Sequence, residues 1–448
     1  MATETITVAA HPPSLFLDLP PPPVSSAGPF ALEAEYKTDS DEHKVNLIIG
    51  AYRDEDGRPW SLSSVTEASS LSHTPTPAGE STNTNTTNLA RQAKSSLNAV
   101  NSLHEYPPLR GDGEFLEGAR RLVFGDKLVE QHAQRLSSIQ TVSGTGANSL
   151  VAKFVQKNAR ASAIWLSDPT WINHADIWHD NAPGVKVREY PYYNAVTRSF
   201  DFDAMMACLE CNAREDDVIL LHACAHNPTG LDPSKSQWGA IADLCQRKKL
   251  FVVFDLAYQG FTSGDLAKDA WAVRFFLESS PLEFAVCQSF SKNLGLYGER
   301  VGALHIVVSR TGPSTGPAVE NALIDIHRAS VSVAPLFGCR VAVEIFRSRQ
   351  LQELWAADLV AMSTRIRKMR EALYEELVRL GTPGNWVHIV RQSGMFSYTG
   401  LGPEQVRRLR EYDHVYMLPS GRLSVCGLTS ANVKYTAQAI HRVVVLSA

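Results

Sequence analysis

The stretch SFSKNLGLYGERVGALH, residues 289–305, holds a single lysine, Lys292, among small and apolar residues. Loss of hydration disfavours the ammonium form of a lysine, and the free amine can then attack an aldehyde to form a Schiff base. Ser289, Ser291 and Arg300 lie in the same stretch and offer donors that suit a phosphate group. Taken alone, the stretch is also compatible with a surface lysine whose stem packs on apolar neighbours.

Two apolar runs end in polar residues that could bind a ligand. LFVVFDLA, residues 250–257, contains Asp255 near its end and is followed by Tyr258, and HNPTG, which contains Asn227, follows the run that begins at residue 217. A carboxylate that closes an apolar strand is costly to bury unless it meets a cation or a donor. An asparagine offers both a donor and an acceptor. Asp255 could instead cap the next helix, and Asn227 could be only a turn residue.

Two more segments could contribute to the same site. SGTGAN, residues 143–148, is a Gly-rich turn before a helical pattern, and such a turn presents free N–H groups to an anion such as phosphate. LSDPTWINHADIW, residues 166–178, places Trp171 and His174 after another apolar run. The indole of Trp171 could cover a planar ligand or could simply pack within the loop.

Two spacings resemble metal-binding pairs, but neither has supporting context. His222 and His226 are four residues apart, yet they lie in a strand pattern that runs into a proline and not on a helix. Cys208 and Cys211 have the CxxC spacing, and no second pair matches them. We therefore predict no metal site.

The polar residues of these segments follow apolar, β-branched runs that alternate with helical patterns. Strand–helix–strand alternation predicts a parallel sheet in an α/β domain, where ligands collect at the carboxyl ends of the strands. The predicted buried strands are ASAIWLSD (161–168), DVILLHACA (217–225), LFVVFDLA (250–257) and VGALHIVVS (301–309), and SKSQWGAIADLCQRKK (234–249) is a predicted helix.

From about residue 340 the pattern changes to that of a smaller α+β unit. A long amphipathic helix is predicted over residues 350–380, followed by short strands in VHIVRQ, GMFSYTGL and RLSVCGL and by a last helix. A polar stretch over residues 72–92 is predicted to be a disordered insertion. The predicted organisation is an N-terminal arm (1–22), the first part of a small domain (23–59), a large domain (60–345) and the second part of the small domain (346–448).

Composition restricts the class of protein. The chain has 448 residues, a formal net charge of −4 and 44% hydrophobic residues, which is typical of a soluble globular protein with a large core. The charge balance gives no basic surface for nucleic acid, and no apolar run reaches the roughly 18 residues of a membrane span. Seven dispersed cysteines, and an N-terminus without a secretory or mitochondrial pattern, predict reduced thiols in a cytoplasmic protein.

These segments occur together, in an order that is typical of one family. NHADIW, HNPTG, DLAYQGFTSGD, SFSKNLGLYGERVG, SGMFSYTGL and LPSGRLSVCGL resemble the motifs of the aspartate aminotransferase family. The resemblance runs from about residue 14 to the last helix and is interrupted mainly by residues 72–92. It implies pyridoxal-phosphate transferase fold type I, with a mostly parallel seven-stranded sheet and with pyridoxal 5'-phosphate bound by the large domain.

Position by position, the resemblance implies roles in cofactor binding and catalysis. Lys292 would hold the cofactor as a Schiff base and then move a proton as general base and acid. Asp255, supported by His174, would pair with the ring nitrogen, and Tyr258 and Asn227 would hydrogen-bond the phenolic oxygen. The other implied cofactor contacts are Trp171 stacked on the ring, Ser143, Gly144, Thr145, Ser289 and Arg300 around the phosphate, and Tyr106 from the neighbouring subunit of a homodimer.

The resemblance also implies the substrates. Arg422 would bind the α-carboxylate, and Arg328 would cross the dimer interface to bind the side-chain carboxylate. Gly50 would lie beside the substrate, together with Trp171 and Asn227. This set implies a reversible ping-pong reaction between L-aspartate plus 2-oxoglutarate and oxaloacetate plus L-glutamate.

One departure from the family pattern leaves alternatives open. After Arg328 the family usually has Ser-Asn-Pro-Pro, whereas this chain has Ser332-Val333-Ala334-Pro335. The change bears on the preference for dicarboxylic substrates more than on transamination itself. A broad-specificity or aromatic aminotransferase, or a β-lyase, of the same fold is therefore an alternative. A non-catalytic binding protein is another, although the principal chemical residues are all present.

Overall fold

Residues 28–70, 105–309 and 315–446 are described by a computed structural model. The predicted N-terminal arm (1–22) and the predicted disordered insertion (72–92) lie outside the described residues. No described helix is long and apolar enough to cross a membrane.

Within the described residues, the strands form one large sheet and three two-stranded ones. In chain order the strands are β1 (Val45–Asn46), β2 (Leu136–Val142), β3 (Ala163–Asp168), β4 (Lys186–Pro191), β5 (Tyr193–Asn194), β6 (Ser199–Phe200), β7 (Val218–His222), β8 (Phe251–Leu256), β9 (Phe284–Ser289), β10 (Val301–Val307), β11 (Phe396–Tyr398), β12 (Val415–Tyr416) and β13 (Arg422–Ser424).

Helices pack on the large sheet and build most of the remaining chain. In chain order they are α1 (Pro29–Thr38), α2 (Ser63–Ser70), α3 (Gly113–Phe124), α4 (Asp126–His132), α5 (Ser143–Asn158), α6 (Asn173–Asn181), α7 (Phe202–Asn212), α8 (Lys235–Lys248), α9 (Leu266–Asp269), α10 (Trp271–Ser279), α11 (Thr315–Val331), α12 (Phe337–Arg347), α13 (Arg349–Arg379), α14 (His388–Arg391), α15 (Pro403–Asp413) and α16 (Val433–Val445).

The large sheet has seven strands in the order β2-β10-β9-β8-β7-β3-β4. β10 is antiparallel to both of its neighbours, and the other pairs are parallel. Every residue of β7, β9 and β10 is buried, because helices cover both faces, and this explains the continuous apolar runs in the sequence. The predicted, mostly parallel α/β sheet is confirmed.

Local signals in the sequence define the ends of α8, the predicted helix of residues 234–249. The Ser234 hydroxyl accepts a hydrogen bond from the Gln237 backbone at 3.3 Å, and the Gln237 side chain accepts one from the Ser234 backbone at 2.8 Å. This capping box satisfies two N–H groups that would otherwise lack partners at the helix start. The helix ends where Lys249 takes a left-handed conformation, with φ of 52°.

The smaller unit joins distant parts of the chain. β1 pairs with β12, and β11 pairs with β13, so a segment near residue 45 lies beside segments near residue 415. The long predicted helix is confirmed as α13, which packs against α2 and α16. The domain boundaries inferred from the sequence stay a prediction.

One predicted strand is wrong. VHIVRQ forms the short helix α14, because the Val387 backbone donates to the Asn385 side chain at 3.0 Å and the Gln392 backbone donates to the His388 carbonyl at 3.0 Å. The predicted strands in GMFSYTGL and RLSVCGL are confirmed as β11 and β13.

Candidate active site

A cleft lies at the carboxyl ends of the parallel strands, where β2, β7, β8 and β9 finish. It encloses about 440 Å³ of space, part of which is open to solvent. The sheet thereby brings together segments that are up to 157 residues apart, from Ser143 to Arg300. The lining residues are Ser143, Gly144, Thr145, Asn148, Trp171, Asn227, Asp255, Ala257, Tyr258, Ser289, Ser291, Lys292 and Arg300.

Lys292 follows β9 and reaches into this cleft. Its Nζ atom lies 5.4 Å from the centre of the Tyr258 ring. Burial lowers the pKa of Lys292 from 10.5 to about 8, with Arg300 and Arg422 acting in the same direction and the charge of Asp255 opposing them. About a tenth of the amine is therefore uncharged at pH 7, far more than for an ordinary lysine, and can act as a nucleophile.

Asp255 ends β8 and is held by an imidazole. Its Oδ2 atom lies 3.1 Å from Nε2 of His174, whose Nδ1 lies 2.8 Å from the Thr170 hydroxyl. Burial by itself would raise the pKa of Asp255, but the hydrogen bond from His174 and the nearby charge of Lys292 lower it below its ordinary value. The carboxylate stays ionised in a dry environment, which suits it to hold a protonated ring nitrogen.

Asn227 links Tyr258 to Arg422. The Asn227 side-chain amide donates to the Tyr258 hydroxyl at 3.4 Å, and its carbonyl accepts from Arg422 Nη1 at 3.3 Å. Burial raises the pKa of Tyr258 above its ordinary value, so the phenol stays protonated and can donate a hydrogen bond. These three side chains form one connected edge of the site.

Arg422 is a buried cation that faces no acid within the described residues. It is 6% exposed, its Cζ atom lies 4.1 Å from the centre of the Phe396 ring, and its Nη2 donates to the Ile48 carbonyl at 2.9 Å. Burial lowers the pKa of Arg422 to about 10, which leaves the guanidinium charged near neutral pH. An unpaired, pre-positioned guanidinium is suited to bind a carboxylate from a ligand.

Hydroxyl groups and a guanidinium form an anion cradle at the start of α5. The Ser143 hydroxyl lies 3.1 Å from that of Ser289 and 2.7 Å from that of Ser291, and Arg300 Nη1 donates to the Ser291 hydroxyl at 3.3 Å. A Cβ atom on Gly144 would lie 3.0 Å from the Ser289 Cβ, so these two segments are closely packed. Backbone N–H groups at a helix start add a favourable field for phosphate.

These groups fit pyridoxal phosphate. The amine of Lys292 suits the aldehyde, the ionised Asp255 suits the ring nitrogen, and the anion cradle suits the phosphate. Trp171 lies at the rim, with its ring edge-on to His174 at 5.1 Å, so a flat ligand could stack against the indole.

Two predicted site residues lie on the surface of a single chain, away from the cleft. Tyr106 is 84% exposed and Arg328 is exposed on α11, and neither lines the cleft. Both were expected to act on the neighbouring subunit, and that role stays a prediction. Gly50 lies next to Phe396, where a Cβ atom would come within 2.4 Å of the ring, and its place beside the substrate stays a prediction.

Several contributors were not predicted as site residues. Asn148 lines the cleft one turn into α5, and Thr170 holds His174. Phe396, under Arg422, also went unrecognised, although its motif GMFSYTGL was noted. The sequence contains a signal for Asn148, because this residue follows Gly144 by one helical turn. In the structure its side-chain amide donates a hydrogen bond to the Gly144 carbonyl at 3.0 Å.

The paired histidines form part of a polar layer behind the site. His222 Nε2 lies 3.1 Å from the Thr170 hydroxyl, and His226 lies between the hydroxyls of Ser167 and Thr229 at 2.9 and 2.8 Å. Burial lowers the pKa of His222 to about 3, so this imidazole is neutral. The nitrogens of both rings thus bind neighbouring protein groups, and His222 supports Asp255 through Thr170 and His174.

The fold and the cleft define a pyridoxal-phosphate enzyme of fold type I. Residues 42–440 match the family "aminotransferase class I and II", and the chain belongs to this family. The family uses pyridoxal phosphate and acts on amino acids and 2-oxo acids.

Individual relatives are similar over most of their lengths. The chain is 42% identical to a cytoplasmic aspartate aminotransferase of Schizosaccharomyces pombe, over 93% of this chain and 95% of the relative. It is 45% identical to an L-tyrosine:2-oxoglutarate aminotransferase of Aspergillus ustus, over 92% of this chain and 75% of the relative. The solved structure of the cytoplasmic aspartate aminotransferase of Saccharomyces cerevisiae superposes with a TM-score of 0.86 at 40% identity, covering 97% of this chain and 99% of that one.

Proposed function

We propose that this protein is an aspartate aminotransferase. It transfers the amino group of L-aspartate to 2-oxoglutarate, giving oxaloacetate and L-glutamate, in a reversible ping-pong reaction. The observation that carries the proposal is the buried guanidinium of Arg422, which faces no acid within the described residues and lies one hydrogen bond from Asn227 in the cleft of Lys292. The aspartate aminotransferases among its relatives support the same activity.

The residues that would hold the cofactor are those of the cleft. Lys292 would bind the aldehyde, Asp255 the ring nitrogen, Tyr258 and Asn227 the phenolic oxygen, and the anion cradle with Gly144 and Thr145 the phosphate. When bound, pyridoxal phosphate supplies an electron sink that stabilises negative charge at the substrate α-carbon.

Lys292 then moves the proton. Once the substrate amino group has replaced Lys292 at the aldehyde carbon, the freed Nζ atom would take the proton from the substrate α-carbon and would return a proton to the cofactor side. A pKa of about 8 suits an amine for both tasks near neutral pH, because a group that must accept and release a proton works best when its pKa is near the ambient pH.

Asp255 and Tyr258 set the electrostatics around this proton transfer. The ionised Asp255 holds a proton at the ring nitrogen, and His174 and Thr170 keep the carboxylate in place. Burial keeps the Tyr258 phenol protonated, so it would donate a hydrogen bond to the phenolic oxygen of the bound cofactor. Fixed, dry groups of this kind stabilise charge without reorganising during the reaction.

The full site requires a homodimer in this proposal. Arg422 would bind the α-carboxylate from its own chain, while Arg328 and Tyr106 would come from the partner to bind the side-chain carboxylate and the phosphate. Their exposure outside the cleft of their own chain supports this arrangement. We further propose that the protein works in the cytoplasm, as the names of two yeast relatives suggest.

An aromatic or broad-specificity aminotransferase is the second candidate. Two observations favour it: the 45% identity to a tyrosine aminotransferase and the run Ser332-Val333-Ala334-Pro335 after Arg328. The test is the ratio of kcat/KM for L-aspartate to that for L-tyrosine, with 2-oxoglutarate as acceptor. A ratio above one that collapses in Arg328→Ala supports the aspartate assignment. A ratio below one, unchanged by this substitution, supports the second candidate.

A further inference from the structure

Arg370, on α13, is a buried cation for which the described residues provide no carboxylate partner. It is 2% exposed, and burial lowers its pKa to about 10, so the guanidinium stays charged near neutral pH. Its Nη1 donates to the Ile389 carbonyl at 3.0 Å. Its Nη2 faces the carbonyls of Ser393 at 3.2 Å, Gly394 at 2.9 Å and Phe396. All of its recorded hydrogen bonds therefore go to one short piece of backbone, residues 389–396, here named the carbonyl segment.

The carbonyl segment lies against the turn that carries Asn227. The Ser393 backbone donates to the Gly230 carbonyl at 2.6 Å, and the Ser393 hydroxyl donates to Asp232 at 3.2 Å. A Cβ atom on Gly230 would lie 2.7 Å from the Ser393 carbonyl oxygen and 2.9 Å from that of Phe396. These are two of the oxygens that Arg370 binds, so the position of the turn depends on where Arg370 holds them.

The same segment ends in the ring that supports Arg422. Phe396 begins β11 and pairs with Ser424 in β13, and the Arg422 guanidinium lies 4.1 Å from the centre of its ring. Gly50 is packed against the ring, where an added Cβ atom would come within 2.4 Å. The ring thus has little room to move, and its position follows the backbone that Arg370 binds.

We propose that Arg370 is a positioning residue for substrate binding. It holds the carbonyl segment, which places Phe396 under the Arg422 guanidinium and fixes the turn whose Asn227 hydrogen-bonds that guanidinium. The inference deepens the proposed function and rests on it. The recorded hydrogen bonds of Arg370 do not involve Lys292 or the anion cradle, so its replacement acts mainly on substrate binding. The covalent and phosphate contacts proposed for the cofactor stay in place, and only the contact proposed for Asn227 shifts.

The test compares variants of the cofactor-loaded enzyme. Arg370→Met removes the charge and all donors, whereas Arg370→Lys keeps the charge but cannot span the carbonyls. We expect the KM values for L-aspartate and 2-oxoglutarate to rise at least about tenfold in Arg370→Met, since a displacement of about 1 Å can cost about 10²-fold. The rise in Arg370→Lys is smaller. The kcat values stay within a few-fold of wild type, and the cofactor content is unchanged, because Lys292 and the anion cradle are untouched.

Two controls separate positioning from a general loss of structure. Arg367→Met removes an exposed arginine from the same helix, whose side chain contacts only Thr364 among the recorded hydrogen bonds, and it should leave KM unchanged. A double-mutant cycle with Phe396→Leu tests the route. If Arg370 acts through Phe396, the changes in KM caused by the Arg370 substitution and by Phe396→Leu are not additive in the double variant. If the two residues act independently, the changes are additive.

The results show whether Arg370 positions the substrate site or only stabilises the fold. Unchanged KM values, additive effects in the cycle, or a loss confined to cofactor content and melting temperature would each overturn the inference. Should Arg370→Met fail to fold, the KM values of Arg370→Lys are compared with those of the wild type instead. A wild-type enzyme that does not transaminate L-aspartate would overturn the proposed function, whereas an active wild type with unaffected variants overturns only the role of Arg370.

Discussion

At the scale of single residues, the chemistry depends on charges that the protein keeps away from water. Lys292 loses part of its proton affinity through burial, Asp255 stays ionised because His174 donates to it, and Arg422 stays charged without an acid partner in the described chain. Each of these states would be unfavourable in an unsupported interior. Together they leave one nucleophile, one anion and one cation available to a ligand.

The lowered pKa of Lys292 predicts how the cofactor-free protein takes up pyridoxal phosphate. Only the neutral amine attacks an aldehyde, so the rate of uptake should rise with pH and level off above about 8, the pKa of Lys292. Stopped-flow absorbance of cofactor binding between pH 6 and 10 measures this profile. A rate that still rises steeply at pH 10, as expected for a lysine with the ordinary pKa of 10.5, would show that the amine is hydrated before the cofactor binds.

At the scale of elements, the site depends on a turn that follows one strand and is packed against a distant piece of backbone. The turn that contains Asn227 and Gly230 follows β7, and the carbonyl segment packs against it through Ser393. Gly230 has φ of 66° and lies too close to two carbonyl oxygens to carry a side chain. The sequence NPTG indicates the turn, but it does not indicate which distant backbone rests on it.

Gly230→Ala should therefore damage the substrate site. The positive φ costs an alanine about 1–2 kcal/mol, and the contact with the Ser393 and Phe396 carbonyls must widen, which displaces Asn227. We expect a lower melting temperature and a raised KM for L-aspartate. Gly239→Ala is the matched control, because Gly239 lies inside α8 with no atom within 4 Å of an added Cβ, so this change should stabilise the protein by about 0.5–1 kcal/mol. Equal effects of the two substitutions would contradict this account.

At the scale of the whole molecule, structural features set by neighbouring residues could be predicted from the sequence, whereas contacts between distant segments could not. Continuous apolar runs predicted the buried strands, and helical periodicity over residues 234–249 predicted α8, because both are local properties. VHIVRQ was misread as a strand, since its helical turn depends on a hydrogen bond that the Val387 backbone donates to the Asn385 side chain. The support of Arg422 by Phe396 could not be predicted either, because it arises only when β11 pairs with β13.

The proposed shared site predicts that two inactive variants restore each other. Lys292→Ala lacks the nucleophile, and Arg328→Ala lacks the proposed partner contact for dicarboxylates. In a hybrid dimer, one site would combine an intact Lys292 with an intact Arg328 from the other chain. Mixing equal amounts should recover up to about a quarter of the wild-type rate with L-aspartate, because half of randomly mixed dimers are hybrids with one complete site. No recovery, with hybrids confirmed by native mass spectrometry, would place Arg328 outside the partner's site.

The central claim is that a cofactor held by Lys292 transfers the amino group of L-aspartate. The most direct measurement follows the absorbance of the purified, pyridoxal-phosphate-loaded protein while L-aspartate alone is added, together with the oxaloacetate released. The account predicts a full spectral change with one oxaloacetate per site, reversal by 2-oxoglutarate with release of L-glutamate, and neither event in Lys292→Ala. An unchanged spectrum in the wild type, or wild-type turnover in Lys292→Ala, would contradict it.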